Sequence, residues 1–364
     1  MSLLSLFGRK SERQPIEPEP ALVTITAEDH RKLALLLSLL NDQSQPNGNL
    51  LIEKLREIDM LALNIKAMGY ELARRLADTL PHGQPTTARA VGLSWKPSTQ
   101  ADMESDWVRH WCGELKTPVV FHRKLWELSY VLQALHDAGH LHGNSRGLGF
   151  GCGREPIPSY LAAHGNKVTI TDLPPDDMRA AGWSNTAQHT HTLDYTYFSY
   201  LVDRETYDRS VALRYVDMNA IPDDLTDYDF CWSICALEHL GSIRQGLDFI
   251  ENSLKTLRPG GTAVHTLEYN INPDGPTIDN WATVLFQRRH IEEIAQRLET
   301  QGHRVAPLDF DTGSAPMDRF IDLPPWAEGT RAQLVAQAGE PRHLKVGVDG
   351  FAATCFALAV TKAS

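Results

Sequence analysis

The stretch Gly147-Leu-Gly-Phe-Gly-Cys-Gly-Arg-Glu-Pro156 puts a glycine at every second position and then stops with a charged pair and a proline. A backbone without side chains admits a ligand closely, because no Cβ stands in the way. About 20 residues further on, Asp172 closes the run Lys167-Val-Thr-Ile-Thr-Asp172. An acid at that spacing can accept both hydroxyls of a ribose, while the helix start after a glycine turn offers amide donors. Together these residues imply a nucleoside-containing cofactor. A dinucleotide site calls for GxGxxG, whose last glycine lets the helix pack close. Counted from Gly149 the sixth position is Arg154, and counted from Gly151 it is Pro156, so that fingerprint fails in both registers.

Such a turn works only if flanking elements hold it. LGFG reads as a short buried strand, GCGRE as the turn, and PIPSYLAAHG as a helix with prolines in its first turn and Gly165 at its end. KVTITD alternates into a second strand. This is a right-handed crossover unit whose turn lies at the carboxyl edge of a parallel sheet, where open α/β folds bind ligands. TDYDFCWS predicts a further strand, and HLGSIRQGLDFIENSLKTLRPGG a helix stopped by Pro-Gly-Gly before the strand TAVHTLEY. Alternation from Thr262 puts Thr266 and Glu268 on one face of that strand and His265 on the other, as a structural residue. WATVLFQRRHIEEIAQRLETQGH predicts another helix, and HRVAPLDF and GFAATCFALAVTK two closing strands. Residues 182–213 and 311–346 are insertions; the tyrosines and histidines of the first either line an acceptor pocket or pack under a long loop.

Read in order, GFGCG, VTITD, YVDMNAIP, YDFCWSICALEHLGS and LKTLRPGGTAVHTLEYN resemble the class I S-adenosylmethionine-dependent methyltransferases. The resemblance covers residues 146–270 by motif and the rest, to 364, by pattern. It implies an α/β fold with a Rossmann-like, mostly parallel seven-stranded sheet, an antiparallel final strand, and the last two strands paired at the sheet edge. Its cofactor is S-adenosyl-L-methionine. Carried over, Gly149, Gly151 and Gly153 would approach the methionine part and Asp172, with Leu173 beside it, the ribose. Asp217 would meet the adenine amine, Met218 would pack on the ring, and Ser233 would complete the set. Family members commonly have an acid where Gly149 stands and a glycine where Glu155 stands, so the amino-acid end would fall to Glu155 or Arg123. Methyl transfer is an in-line displacement in which the protein aligns acceptor and methyl and excludes water. A hydroxyl acceptor needs a general base, for which His239 and Glu268 are the candidates, although His239 could instead brace its loop. We assign no metal ligands, Glu238 with His239 being a weak pattern for one. GFGCGREPIPS, WSICALEHLGS and DLPPW followed by HLKV also resemble bacterial methyltransferases of surface glycans and sugars, which implies a small-molecule or glycan acceptor.

Composition bounds the rest. The chain has 364 residues, 42% hydrophobic and 22% charged, and fits one large core with an accessory element. A net charge of -11 argues against a nucleic-acid partner, since binding to phosphate backbones depends on lysine and arginine displacing counterions. Cys112, Cys152, Cys231, Cys235 and Cys355 form no CxxC pair, which suits a reducing, cytoplasmic compartment. No run is long enough to span a membrane, and in MSLLSLFGRKSERQ the apolar residues precede the basic ones, the reverse of a secretory signal.

Residues 1–25 read as a flexible tail and 26–82 as a helical extension opened by a Thr26 cap. Within it, Leu51, Leu55, Ile58, Ala62, Ile65, Gly69, Leu72 and Leu76 form a helical seam over residues 49–80, ended by Pro81. That seam either packs on the main domain or makes a homodimer. Residues 83–145 read as a linker with lead-in helices, Arg123 and Lys124 among their solvated surface, and 146–364 as the cofactor-binding domain. Two rival readings stand beside the enzyme: a non-catalytic cofactor-binding scaffold working through residues 26–80, and an NAD-type oxidoreductase.

Overall fold

The computed structural model describes residues 26–81, 86–175, 190–326 and 335–364. The expected tail, residues 176–181, and residues 182–189 and 327–334 of the two insertions lie outside the described residues. The chain divides into two compact units, Met1–Ile58 and Asp59–Ser364. In the first, helix α1 (Ala27–Ser38) opens with the expected capping box, Thr26 accepting from the Asp29 amide at 3.1 Å while the Asp29 carboxylate accepts from the Thr26 amide. None of its residues is buried, and Leu33, Leu35, Leu36 and Leu37 are exposed. Helix α2 (Gly48–Asp78) matches the expected span and runs through the boundary. In the second unit its buried residues are Ala62, Lys66, Gly69, Tyr70, Ala73 and Ala77, so the predicted seam is split: Ala62 and Gly69 are buried and Leu76 packs against the core, whereas Leu55, Ile58, Ile65 and Leu72 are exposed.

The second unit is built on one sheet. Its strands are β1 (Lys96–Pro97), β2 (Arg146–Phe150), β3 (Lys167–Asp172), β4 (Val211–Tyr215), β5 (Tyr228–Ile234), β6 (Leu257–Asn270), β7 (Arg304–Val305), β8 (Ile321–Asp322), β9 (Lys345–Val348) and β10 (Phe351–Thr361). They order as β4-β3-β2-β5-β6-β10-β9-β8, and β1 and β7 both pair with β10. β4 through β6 are mutually parallel and β10 is antiparallel to β6. The Rossmann-like sheet is thus present, with β1, β8 and β9 added to its seven strands. Order reverses between β2 and β5, which makes their carboxyl ends the switch point. β5, YDFCWSI, is buried at every residue, as a central parallel strand is.

Four details differ from expectation. β10 does not lie at the edge: β9, β1 and β7 share its outer side in succession. The strand expected at HRVAPLDF shrinks to Arg304–Val305, because residues 307–309 pair instead with Trp95, whose amide donates to the Pro307 carbonyl at 2.8 Å. The Pro-Gly-Gly does not end a helix. The helix Ile243–Ser253 stops earlier, and residues 258–261 bulge within β6, where Gly260 takes φ 77. The last helix, Arg288–Thr300, starts later than its amphipathic pattern because Phe286 is tied to the end of β6 by hydrogen bonds with Glu268 and Asn270.

Helix α3 (Arg123–Asp137), expected as a lead-in, is buried without interruption from Trp126 to Leu135 and packs on β5, β6 and β10. A helix buried all round is a core element rather than a surface one.

Candidate functional site

Three loops meet at the switch point. The first is the glycine turn after β2. In β2 itself, Gly149 is a packing glycine, since a Cβ there would stand 2.3 Å from Cys152 Sγ and 2.5 Å from the Trp232 ring. Gly151 and Gly153 take φ of 58 and 50, a region that favours glycine. A Cβ on Gly151 would sit 2.9 Å from the Ala236 Cβ and 3.4 Å from Met218 Sδ, so the turn faces both the loop after β4 and the loop after β5. Those two loops are joined as well, Asn219 Nδ2 donating to the Leu240 carbonyl at 3.3 Å. At the end of β3, the Asp172 carboxylate accepts from the amides of Leu173 at 2.9 Å and Thr190 at 2.8 Å, and the Thr190 hydroxyl donates to the Gly153 carbonyl. Asp217, half-buried, accepts from the Asn219 amide at 2.9 Å, and Met218 is buried beside it.

Two expected cofactor residues are engaged elsewhere. Glu155 is buried and accepts from Trp232 Nε1 at 2.6 Å, and burial pushes its carboxyl up from 4.5 to about 7. It braces the turn against β5. The Ser233 hydroxyl is fully buried and hydrogen-bonded to His265 Nδ1 at 2.8 Å, while His265 Nε2 bonds Ser253 at 2.9 Å. His265 therefore has the structural role that strand alternation predicts, burial lowering its basicity to about 3.

The acid and base candidates belong to a different group. Arg123, expected as solvated surface, reaches into the carboxyl edge instead, its Nη1 bonding Glu268 Oε2; Lys124 is exposed as expected, yet its Nζ stands 3.0 Å from Glu127 Oε2. Glu127 is fully buried; its Oε1 accepts from the Thr266 hydroxyl at 2.7 Å and the Cys235 thiol at 2.6 Å. Burial works against its charge, but Lys124, Arg123 and these donors outweigh it and hold the carboxyl to about 2. The side chains of Cys235, Glu238 and Glu268 offer atoms within 4.8 Å of one another. Burial, and then the Glu268 charge, push Glu238 up to about 8. His239 sits apart: its Nδ1 donates to the Ala282 carbonyl at 2.9 Å, which places the ring's lone pair on Nε2. Burial, with Lys124 and Arg123 acting in the same direction, lowers its basicity to about 4.

Sequence reading missed Glu127 and Cys355. The one signal for Glu127 was its Lys124 partner three residues before it in an otherwise apolar helix. Cys355 had none, because it reaches the site only through the pairing of β10 with β6, where it stands opposite Glu268.

No protein-family model matches the chain, and no curated protein matches it. Solved structures do. An S-adenosylmethionine dependent methyltransferase from Mesorhizobium loti aligns over 63% of this chain and 96% of its own at 13% identity, with a TM-score of 0.34. The N-methyltransferase NodS from Bradyrhizobium japonicum WM9 aligns over 66% and 97% at 14% identity and 0.34. The magnesium protoporphyrin IX methyltransferase ChlM from Synechocystis PCC 6803, with bound SAH, aligns over 64% and 81% at 12% identity and 0.35. These likenesses are remote; strand order and loop geometry are the firmer ground.

Glu155 yields a pH test. Its folded pKa lies above the ordinary value, so between pH 4.5 and about 7 the folded chain holds a proton that the unfolded chain has released. Stability conferred by the protonated form is present below that window and falls as pH rises through it, by up to about 3 kcal/mol. Glu155→Gln keeps an acceptor for Trp232 and carries no charge. Urea midpoints at pH 5 and pH 8 should show the native protein losing stability relative to Glu155→Gln as pH rises, since the pH dependence of the buried histidines and Glu238 is common to both; an identical pH dependence in the two would refute the assignment.

Proposed function

We propose that this chain is an S-adenosylmethionine-dependent methyltransferase. One observation carries the reading: Gly151, Met218 and Ala236, from three loops remote in sequence, close on one point at the switch of the sheet, with Asp172 ending the adjacent strand. The residues fit the cofactor. A Cβ would fill the cradle at Gly151, so backbone amides of the turn would take the methionine part. Asp172, at the carboxyl end of the strand beside the turn, would accept from the ribose hydroxyls. Leu173 follows it, and Asp217 with Met218 would hold the adenine. When bound there, the cofactor supplies a methyl group on a sulfonium sulfur.

For the acceptor we favour a hydroxyl of a small molecule or glycan. We favour His239, whose ring is held by the Ala282 carbonyl, as the base that takes its proton, and Arg123 at the carboxyl edge would orient it. We further propose that the chain forms a homodimer through α2, because Leu55, Ile58, Ile65 and Leu72, spaced three, seven and seven residues apart, are exposed apolar side chains on one helix. No described helix is long and apolar enough to cross a membrane.

Calorimetric titration with S-adenosylmethionine and S-adenosylhomocysteine tests the cofactor. Both should bind, and Asp172→Ala should weaken them about tenfold or more, the worth of a hydrogen bond to a charged group. Absence of binding to either would sink the reading and reopen nicotinamide cofactors. In acceptor screens, His239→Ala should keep that affinity and lose about a hundredfold or more in turnover; binding without turnover on any acceptor would favour the scaffold. Light scattering should give a dimer mass that Ile58→Glu with Ile65→Glu reduces to a monomer, and a monomeric native chain would remove the dimer.

A further inference from the structure

We propose that Cys235, Glu238 and Glu268 form a divalent-metal site suited to zinc, with Glu127 and Cys355 at its rim. The sequence offered only Glu238 with His239 as a weak pattern, and the site stands whether or not the chain transfers methyl groups. Cys235 belongs to two groups of metal-ligating side chains, one with Glu238 and Glu268 and one with Glu127 and Cys355, the ligand atoms in each lying within 4.8 Å of one another. Proximity of acids alone would mean little. The second observation is that Glu238 and Glu268, 1% and 4% exposed, each keep a buried carboxylate oxygen with no hydrogen-bond partner, Oε2 and Oε1 respectively. An unpaired buried acceptor is costly, and two carboxylates this close in a dry place repel unless a proton or a cation lies between them.

Charge decides that a cation fits. With Cys235 as thiolate and both carboxylates ionised, the three ligands carry three negative charges; a divalent ion and Arg123, already bonded to Glu268, balance them to zero. Glu127, whose Oε1 loses the Cys235 thiol as a donor when the ion binds, keeps the Thr266 hydroxyl and is balanced by Lys124. Ligand chemistry decides which cation. Magnesium and calcium take six or more oxygens, several of them from water, whereas a thiolate with two carboxylates matches the four-coordinate zinc ion. Size points the same way, since an organic acceptor cannot reach these buried oxygens without displacing side chains, and an ion needs ligands only about 2.0–2.3 Å away. The thiol is also held in place, for the Cys235 amide donates to both the carbonyl and the hydroxyl of Thr266.

Cobalt(II) is the probe. Full-length protein stripped with a chelator and titrated with cobalt(II) should develop a thiolate-to-cobalt charge-transfer band that saturates at one ion per chain and disappears on adding zinc. Zinc should also raise the unfolding temperature of the native chain. Cys235→Ser should abolish the band, Cys231→Ser should leave it unchanged, and Glu238→Gln should weaken affinity about tenfold or more. No band and no zinc-dependent rise in the native protein would overturn the site, independently of how any variant folds. A band undiminished in Cys235→Ser would overturn it too.

Discussion

Glu127 is a carboxylate with no exposed surface, set where α3 meets the carboxyl ends of β5 and β6. A charge in such a place persists only if the surroundings neutralise it and donate to it. Lys124 supplies the charge; Thr266 and Cys235 supply the donors. Each partner then fixes something else. Thr266 accepts from the Cys235 amide, which pins the chain leaving β5 to β6, and Arg123, beside Lys124, holds Glu268. Removing one partner of a buried pair costs about 3–5 kcal/mol, because the other charge is left behind. The edge of the sheet is therefore held by an electrostatic requirement more than by apolar packing.

A second buried carboxylate secures the start of the same helix. Asp322 accepts from Lys66, Tyr70 and His343, and these donors keep it ionised against its burial. The His343 ring lies 4.8 Å from that of His122, the N-cap of α3, and its carbonyl accepts from the Arg123 amide at 2.9 Å. Arg123 is thus placed by its backbone through His343 and by its side chain through Glu268. The segment carrying Asp322 and His343, read from sequence as an insertion, positions the residue that faces the site.

The glycine turn and the strand ends of the proposed cofactor half were legible because their signals are local. Gly151, Gly153 and Asp172 lie within one crossover unit, and glycine, proline and strand alternation each have a short-range physical cause. Asp217 and Met218 came from the order of motifs. Failures followed from long-range pairing. Trp95 diverts residues 307–309 from a strand, Phe286 delays a helix, and Ile65 and Leu72 of the α2 seam stay exposed while Lys66 and Tyr70, which no hydropathy pattern would bury, go inside. Glu155 and Ser233 were correctly placed near the turn, yet the indole of Trp232 and the ring of His265 claim their side chains. Neither partner is adjacent in sequence.

The two halves of the candidate site therefore differ in what encodes them. Backbone conformation builds the cofactor side, so it depends on a few glycines and tolerates change among its neighbours. The acid cluster draws on α3, the loop after β5, β6 and β10, and each contributor is acceptable only in the presence of the others: Glu127 without Lys124, or Glu268 without Arg123, would be an unpaired buried charge. Side chains that stabilise nothing alone and are held together at the carboxyl edge of the sheet are costly for folding. Their concentration beside the switch point, with two carboxylate oxygens still unsatisfied, is the arrangement expected where recognition rather than stability sets the chemistry.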